Sequence, residues 1–148
     1  MTGAQTVLAF DFGLRRIGIA SGDTLTRTPT PRAVALVGRN GPDWELITRE
    51  VRALEPGLLV LGAPYNADGS EGALAAAVRG FAAELARRFA LPVHLVDERF
   101  SSLEASEALR SQRSSGQRRR RVAAGDVDSA AAAVILGRYF QGEGKRAK

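Results

Sequence analysis

Val7-Leu8-Ala9-Phe10-Asp11-Phe12-Gly13-Leu14-Arg15-Arg16-Ile17-Gly18-Ile19-Ala20 is the stretch that decides the fold. Two apolar, β-leaning runs, residues 6–12 and 16–22, flank Gly13-Leu14-Arg15 and read as a hairpin. Asp11 stands at the end of the first run, where a buried strand delivers a carboxylate on a rigid element. Gly13 leaves room for a phosphate or a metal ion to approach the backbone. Two more acidic clusters follow, Asp97-Glu98-Arg99 and Asp126-Val127-Asp128. Three separated carboxylate sites on one small chain point to metal-dependent phosphate chemistry.

Working outward, Thr28-Pro29-Thr30-Pro31 interrupts the pattern, and Ala33 to Val37 reads as a third strand. Residues 38–42 read as a loop. Asp43 is placed to cap a helix in which Trp44, Ile47, Val51 and Leu54 recur at helical spacing. Pro56-Gly57 ends it. Leu58-Leu59-Val60-Leu61 is continuously apolar, as expected of a strand covered on both faces. Its end, Gly62-Ala63-Pro64, is a candidate site edge. Residues 71–89 carry a Leu74, Val78, Phe81, Leu85 stripe and predict the longest helix. Val93 to Val96 is a further strand, delivering Asp97 and Glu98. Ser101 and Glu104 have capping-box spacing for a helix reaching Arg110. Residues 111–125 read as a mobile basic loop, 126–140 as the last helix, and 142–148 as a frayed tail. The expected architecture is α/β, a mixed five-stranded sheet with helices on both faces, in one domain spanning 1–148.

Composition narrows the function. The chain has 148 residues and no cysteine, which excludes disulfides, thiolate metal sites and a catalytic thiol. No secretory signal is visible, and no apolar run approaches the ~20 residues that span a bilayer. The chain is expected to be soluble and cytoplasmic, with no membrane partner. The net charge is +5, and 19 of the 21 basic residues are arginine, the side chain whose planar fork pairs bidentately with phosphate. Arg110, Arg113 and Arg118 to Arg121 fall in a stretch without a single acid. No Gly-x-x-x-x-Gly-Lys-Ser/Thr pattern occurs, which excludes a P-loop NTPase.

Four motifs together resemble the YqgF (RuvX-type) family, a ribonuclease H-like branch related to Holliday junction resolvases. They are Asp11 through Ala20, Gly62-Ala63-Pro64 through Asp68-Gly69-Ser70-Glu71-Gly72, Asp97-Glu98-Arg99-Phe100-Ser101-Ser102, and Val127-Asp128-Ser129-Ala130-Ala131. The resemblance covers nearly the whole chain. It departs from the family pattern at Ser102, where threonine is common, and at Asp126, where an anion replaces a common lysine.

The resemblance implies a ribonuclease H-like fold and a cytoplasmic nuclease using Mg²⁺ or Mn²⁺. Its implied task is maturation of the 5′ end of 16S rRNA in ribosome biogenesis, with Holliday junction resolution in DNA recombination as the alternative. A non-catalytic nucleic-acid-binding module is a further alternative, and an actin-like or sugar-kinase ATPase is disfavoured by chain length. Asp11, Glu98 and Asp128 are the implied catalytic and metal-ligating residues. Neighbouring strand residues point to opposite faces, so only one of Asp97 and Glu98 enters the site directly. By position either Asp126 or Asp128 is a candidate helix cap, and the match of Asp128 to the family motif implies Asp126 as the cap and Asp128 as the ligand. Arg15, Arg16 and Arg99 are candidates for holding phosphates or for relieving carboxylate repulsion. Asn66 is placed to hydrogen-bond a nucleic-acid backbone, and Arg118, Arg119, Arg120 and Arg121 to clamp one. The implied partners are structured RNA, with branched DNA as the alternative, and precursor ribosomal particles. The protein itself is expected to be a monomer or weak homodimer.

Overall fold

The computed structural model describes residues 4–63, 74–97, 124–143 and 145–146. Its elements are β1 Thr6–Phe12, β2 Arg16–Asp23, β3 Thr30–Gly38, β4 Gly41–Pro42, α1 Trp44–Leu54, β5 Leu58–Ala63, α2 Ala75–Phe89, β6 Val93–Asp97, α3 Ala124–Arg138 and β7 Lys145–Arg146. A π-helical turn, Tyr139–Glu143, continues α3. The sheet order is β4-β3-β2-β1-β5-β6-β7. The hairpin half, β1 to β3, is antiparallel, and β5 and β6 run parallel to β1.

The expected mixed sheet with helices on both faces is present, with two short strands more than the five read from the sequence. Gly41–Pro42, read as loop, pairs with Val37 and Gly38. Lys145–Arg146 pairs antiparallel with Leu95 and His94, so the tail read as frayed closes the sheet as an edge strand. A ladder of this kind uses backbone groups alone, and two charged residues carry no alternating pattern that would announce it. The strand covers what would otherwise be the exposed edge of β6.

Strand alternation divides the core in two. Leu8, Phe10 and Phe12 of β1, Ile17 and Ile19 of β2, and Leu59 and Leu61 of β5 face α1 and α2. Phe81 of α2 is the hub of that layer: its ring stands 5.8 Å from Phe10, 5.0 Å from Phe12 and 5.4 Å from Trp44. Val7, Ala9, Leu58, Val60 and Val96 face the other way, against Ile135 and Leu136 of α3. β1 and β5 are therefore apolar at nearly every position because both faces are covered.

The helices end as their sequences suggest, with two exceptions, the first being α2, which starts at Ala75 after Leu74 rather than at residue 71. The Asp43 carboxylate accepts from the Leu46 amide at 3.1 Å and caps α1. Glu55 and Ala90 close α1 and α2 in the left-handed conformation. The second exception is α3, which begins at Ala124 rather than at residue 126. Asp126 is therefore inside the helix and is not its cap, and Asp128 lies beyond the first turn. Ala124, a strong helix former, extends the helix ahead of the acidic pair.

Candidate active site

Asp11 of β1 is paired with Gly18 of β2. Opposed residues of an antiparallel pair project to the same face, with Cβ positions about 5 Å apart. Asp11 therefore shares the face of Val7 and Ala9, which α3 covers. Gly18 has no side chain there, and α3 occupies the space: a Cβ at Gly18 would lie 2.0 Å from the Asp128 carbonyl oxygen and 3.0 Å from the Ser129 nitrogen. Only glycine lets the helix sit so close. The result places Asp11 and Asp128, from opposite ends of the chain, around one small point on the sheet.

Arg16, two residues before Gly18, faces the same way. Its Nε stands 2.8 Å from Asp128 Oδ2, with the side chains 46% and 25% exposed. This is an ion pair by distance, but among the described residues Oδ2, which is out of solvent, accepts no hydrogen bond. A buried, unsatisfied carboxylate oxygen costs stability unless something else engages it.

The hairpin that carries Arg16 is tight. A Cβ at Gly13 would come within 2.7 Å of the Arg16 carbonyl oxygen. The Arg15 carbonyl accepts from the Val37 amide at 2.9 Å, which ties the turn to β3, and the Arg15 side chain is exposed. Across the sheet Phe10 pairs with Leu61 and Leu61 with Leu95, so β1, β5 and β6 end at one edge. The last pair there is Ala63 with Asp97. Ligands of open α/β sheets bind outside this carboxyl edge.

Asp11, Arg15, Arg16 and Asp128 are thus the expected site residues that the structure describes. Glu98, Asn66, Arg99 and Arg118 to Arg121 lie outside the described residues. Among the described residues no three of His, Cys, Asp and Glu gather to hold a metal. The two aspartates nevertheless offer hard oxygen donors, one of them a buried oxygen held by charge but by no hydrogen bond among the described residues, and that is the donor chemistry Mg²⁺ and Mn²⁺ require. His94 sits mid-strand in β6 with its ring edge-on to Tyr139 at 5.4 Å. Sequence reasoning overlooked Gly18. A glycine inside a strand, where it weakens the ladder, was the available signal of a close backbone approach.

The family model described as "RuvX: Holliday junction resolvase" matches residues 5–142. The chain belongs to the RuvX family. A relative from Xanthomonas campestris pv. campestris strain 8004 is 43% identical over 135 residues, spanning 91% of this chain and 86% of the relative. Another, from Escherichia coli O7:K1 strain IAI39, is 41% identical over 136 residues, spanning 92% and 96%. Both carry the provisional name of pre-16S rRNA nuclease. Among solved structures, T. thermophilus RuvC in complex with a Holliday junction substrate aligns with a TM-score of 0.57 at 14% identity, covering 96% of this chain and 99% of that one. Another T. thermophilus RuvC structure aligns at 0.53 and 15%. At such identities the likeness is one of fold, and the RuvX fold is ribonuclease H-like.

Proposed function

We propose that this RuvX protein is a divalent-metal-dependent nuclease that hydrolyses phosphodiester bonds while the 5′ end of the 16S rRNA precursor is processed in the cytoplasm. The observation that carries the reading is Asp128 Oδ2, buried and without a hydrogen bond among the described residues, beside the Asp11–Gly18 pair. The names of the relatives support the substrate.

In this reading Asp11 and Asp128, with Glu98, hold Mg²⁺ or Mn²⁺. Bound there, the ion would supply Lewis acidity toward the phosphoryl oxygen and an acidified attacking water. Arg16 stabilises the Asp128 carboxylate when no cation is near, and its guanidinium is free to turn toward a phosphate oxygen once that charge is otherwise balanced. Arg15, exposed on the same turn, holds a flanking phosphate. Asn66, Arg99 and the Arg118 to Arg121 run extend that contact along the backbone, positioning the strand without reading its sequence. Structured RNA, as part of a precursor ribosomal particle, is the substrate that fits this role, and residues 1–148 act as one nuclease domain in a monomer or weak homodimer.

The test is cleavage of a 5′-extended 16S rRNA fragment by the purified protein with Mn²⁺ or Mg²⁺. Asp11→Asn should abolish it. A four-way DNA junction is run alongside because the family model is described as a resolvase. Symmetric cutting of the junction by a dimer, with the RNA left intact, would replace the rRNA reading by the junction one. No cleavage of either substrate would leave a binding module.

A further inference from the structure

Three large apolar side chains stand in solvent among the described residues: Leu14, 69% exposed, Leu25, 78%, and Leu36, 64%. Single exposed leucines are ordinary. Two of these three, however, flank Arg16. Leu14 lies two residues before it in the hairpin turn, and Leu36 is its partner across the β2–β3 ladder. Ile17 and its partner Ala35 are buried on the α1 and α2 side, so Arg16 and Leu36 project to the opposite face, the face of Asp128.

The backbone beneath them is tied down. Gly13 packs against the Arg16 carbonyl, and the Arg15 carbonyl accepts from Val37. The Leu36 carbonyl accepts from the Asp43 amide at 2.9 Å, which anchors β3 to the start of α1. The two leucines add nothing to either core, yet they are held on a rigid hairpin beside the candidate site. Exposed Arg15 and Arg39 share this end of the sheet. Apolar side chains next to guanidinium groups match a nucleotide, whose base offers an apolar face and whose phosphate offers the anion.

We propose that Leu14 and Leu36 form an apolar lip that receives the bases flanking the scissile phosphate. The proposal rests on the nuclease reading above and adds a substrate class to it. The bases of a continuous duplex are stacked on one another and present no free face. The lip therefore selects nucleic acid whose stack is open at the cut, as at a junction between paired and unpaired strands.

The experiment is equilibrium binding in metal-free buffer, which requires no cleavage and so stands or falls separately from the nuclease reading. Probes are an oligonucleotide with unpaired nucleotides at its centre and the same strand with abasic sugars at those positions. The abasic probe should bind the native chain roughly tenfold more weakly. Leu14→Ser with Leu36→Ser should weaken binding of the intact probe by about the same factor and leave the abasic probe unaffected. Leu25→Ser, at the far end of β2, is the control and should change nothing. Equal loss on both probes, or a double variant indistinguishable from Leu25→Ser, would overturn the proposal. So would a change of oligomeric state in the double variant, which would assign the leucines to contact between copies of the chain.

Discussion

Arg16 Nε and Asp128 Oδ2 are 2.8 Å apart, and among the described residues the oxygen still accepts no hydrogen bond. The pair joins the first hairpin to the last helix. It balances the carboxylate's charge without a hydrogen bond to that oxygen. Half-exposed ion pairs of this kind contribute little to stability, about 0–1 kcal/mol.

Replacing Asp128 by asparagine should therefore abolish cleavage at little or no cost in metal-free stability. The expected change lies between neutral and about 1 kcal/mol stabilising, since the unsatisfied anionic oxygen is removed. Thermal denaturation in EDTA checks this. A large fall in Tm would mean that the ion pair holds α3 in place.

The native chain should gain stability on addition of Mn²⁺, by about 2.7 kcal/mol at a hundred times the dissociation constant. Asp11→Asn should lose that gain. An unchanged Mn²⁺ response in Asp11→Asn would remove Asp11 from the ligand set.

Gly18→Ala puts a methyl group 2.0 Å from the Asp128 carbonyl oxygen, so α3 must lift from the sheet. The expected cost is about 1–3 kcal/mol. Activity should fall further than the unfolded fraction explains, because the same movement carries Asp128 away from Asp11. Denaturant unfolding together with cleavage at a temperature where the variant is fully folded separates the two effects.

Glu55 and Ala90 take the left-handed conformation at the ends of α1 and α2, with φ of 47° and 53°. Each is exposed. Glu55→Gly and Ala90→Gly should each stabilise by roughly 0.5–1 kcal/mol, the relief of Cβ strain outweighing the added freedom of the unfolded chain. A urea midpoint that falls in both variants would contradict this.

On α2 the Glu84 carboxylate is bonded by Arg87 and by Arg88, whose Nε is 2.6 Å away. Hydrogen bonds from Arg87 first, then Arg88, lower its pKa from 4.5 to about 2. A carboxylate with a depressed folded pKa stabilises above its ordinary value and loses that contribution as pH falls through the folded one. The Tm difference between the native chain and Glu84→Gln should thus be constant above pH 4.5 and close as the pH approaches about 2. It should be small, because solvent screens the pair.

Much of this molecule is written locally. The β1–β2 hairpin, the α1 stripe of Trp44, Ile47 and Val51 and the doubly covered β5 follow from the period of apolar residues, which each short segment carries by itself. The start of α3 does not, since Ala124 extends the helix past the residue that looks like its cap. Neither does β7, whose two residues pair through backbone groups common to every sequence.

The candidate site divides the same way. The sequence alone determined which residues have the chemistry: Asp11 at a strand end, Asp128 near a helix start, arginines beside both. Their meeting was decided only in three dimensions, by Gly18 lying opposite Asp11 and beneath the backbone of Asp128. The missing side chain of one glycine sets how near α3 can come, and a distance between remote segments is a property of packing that no local pattern records.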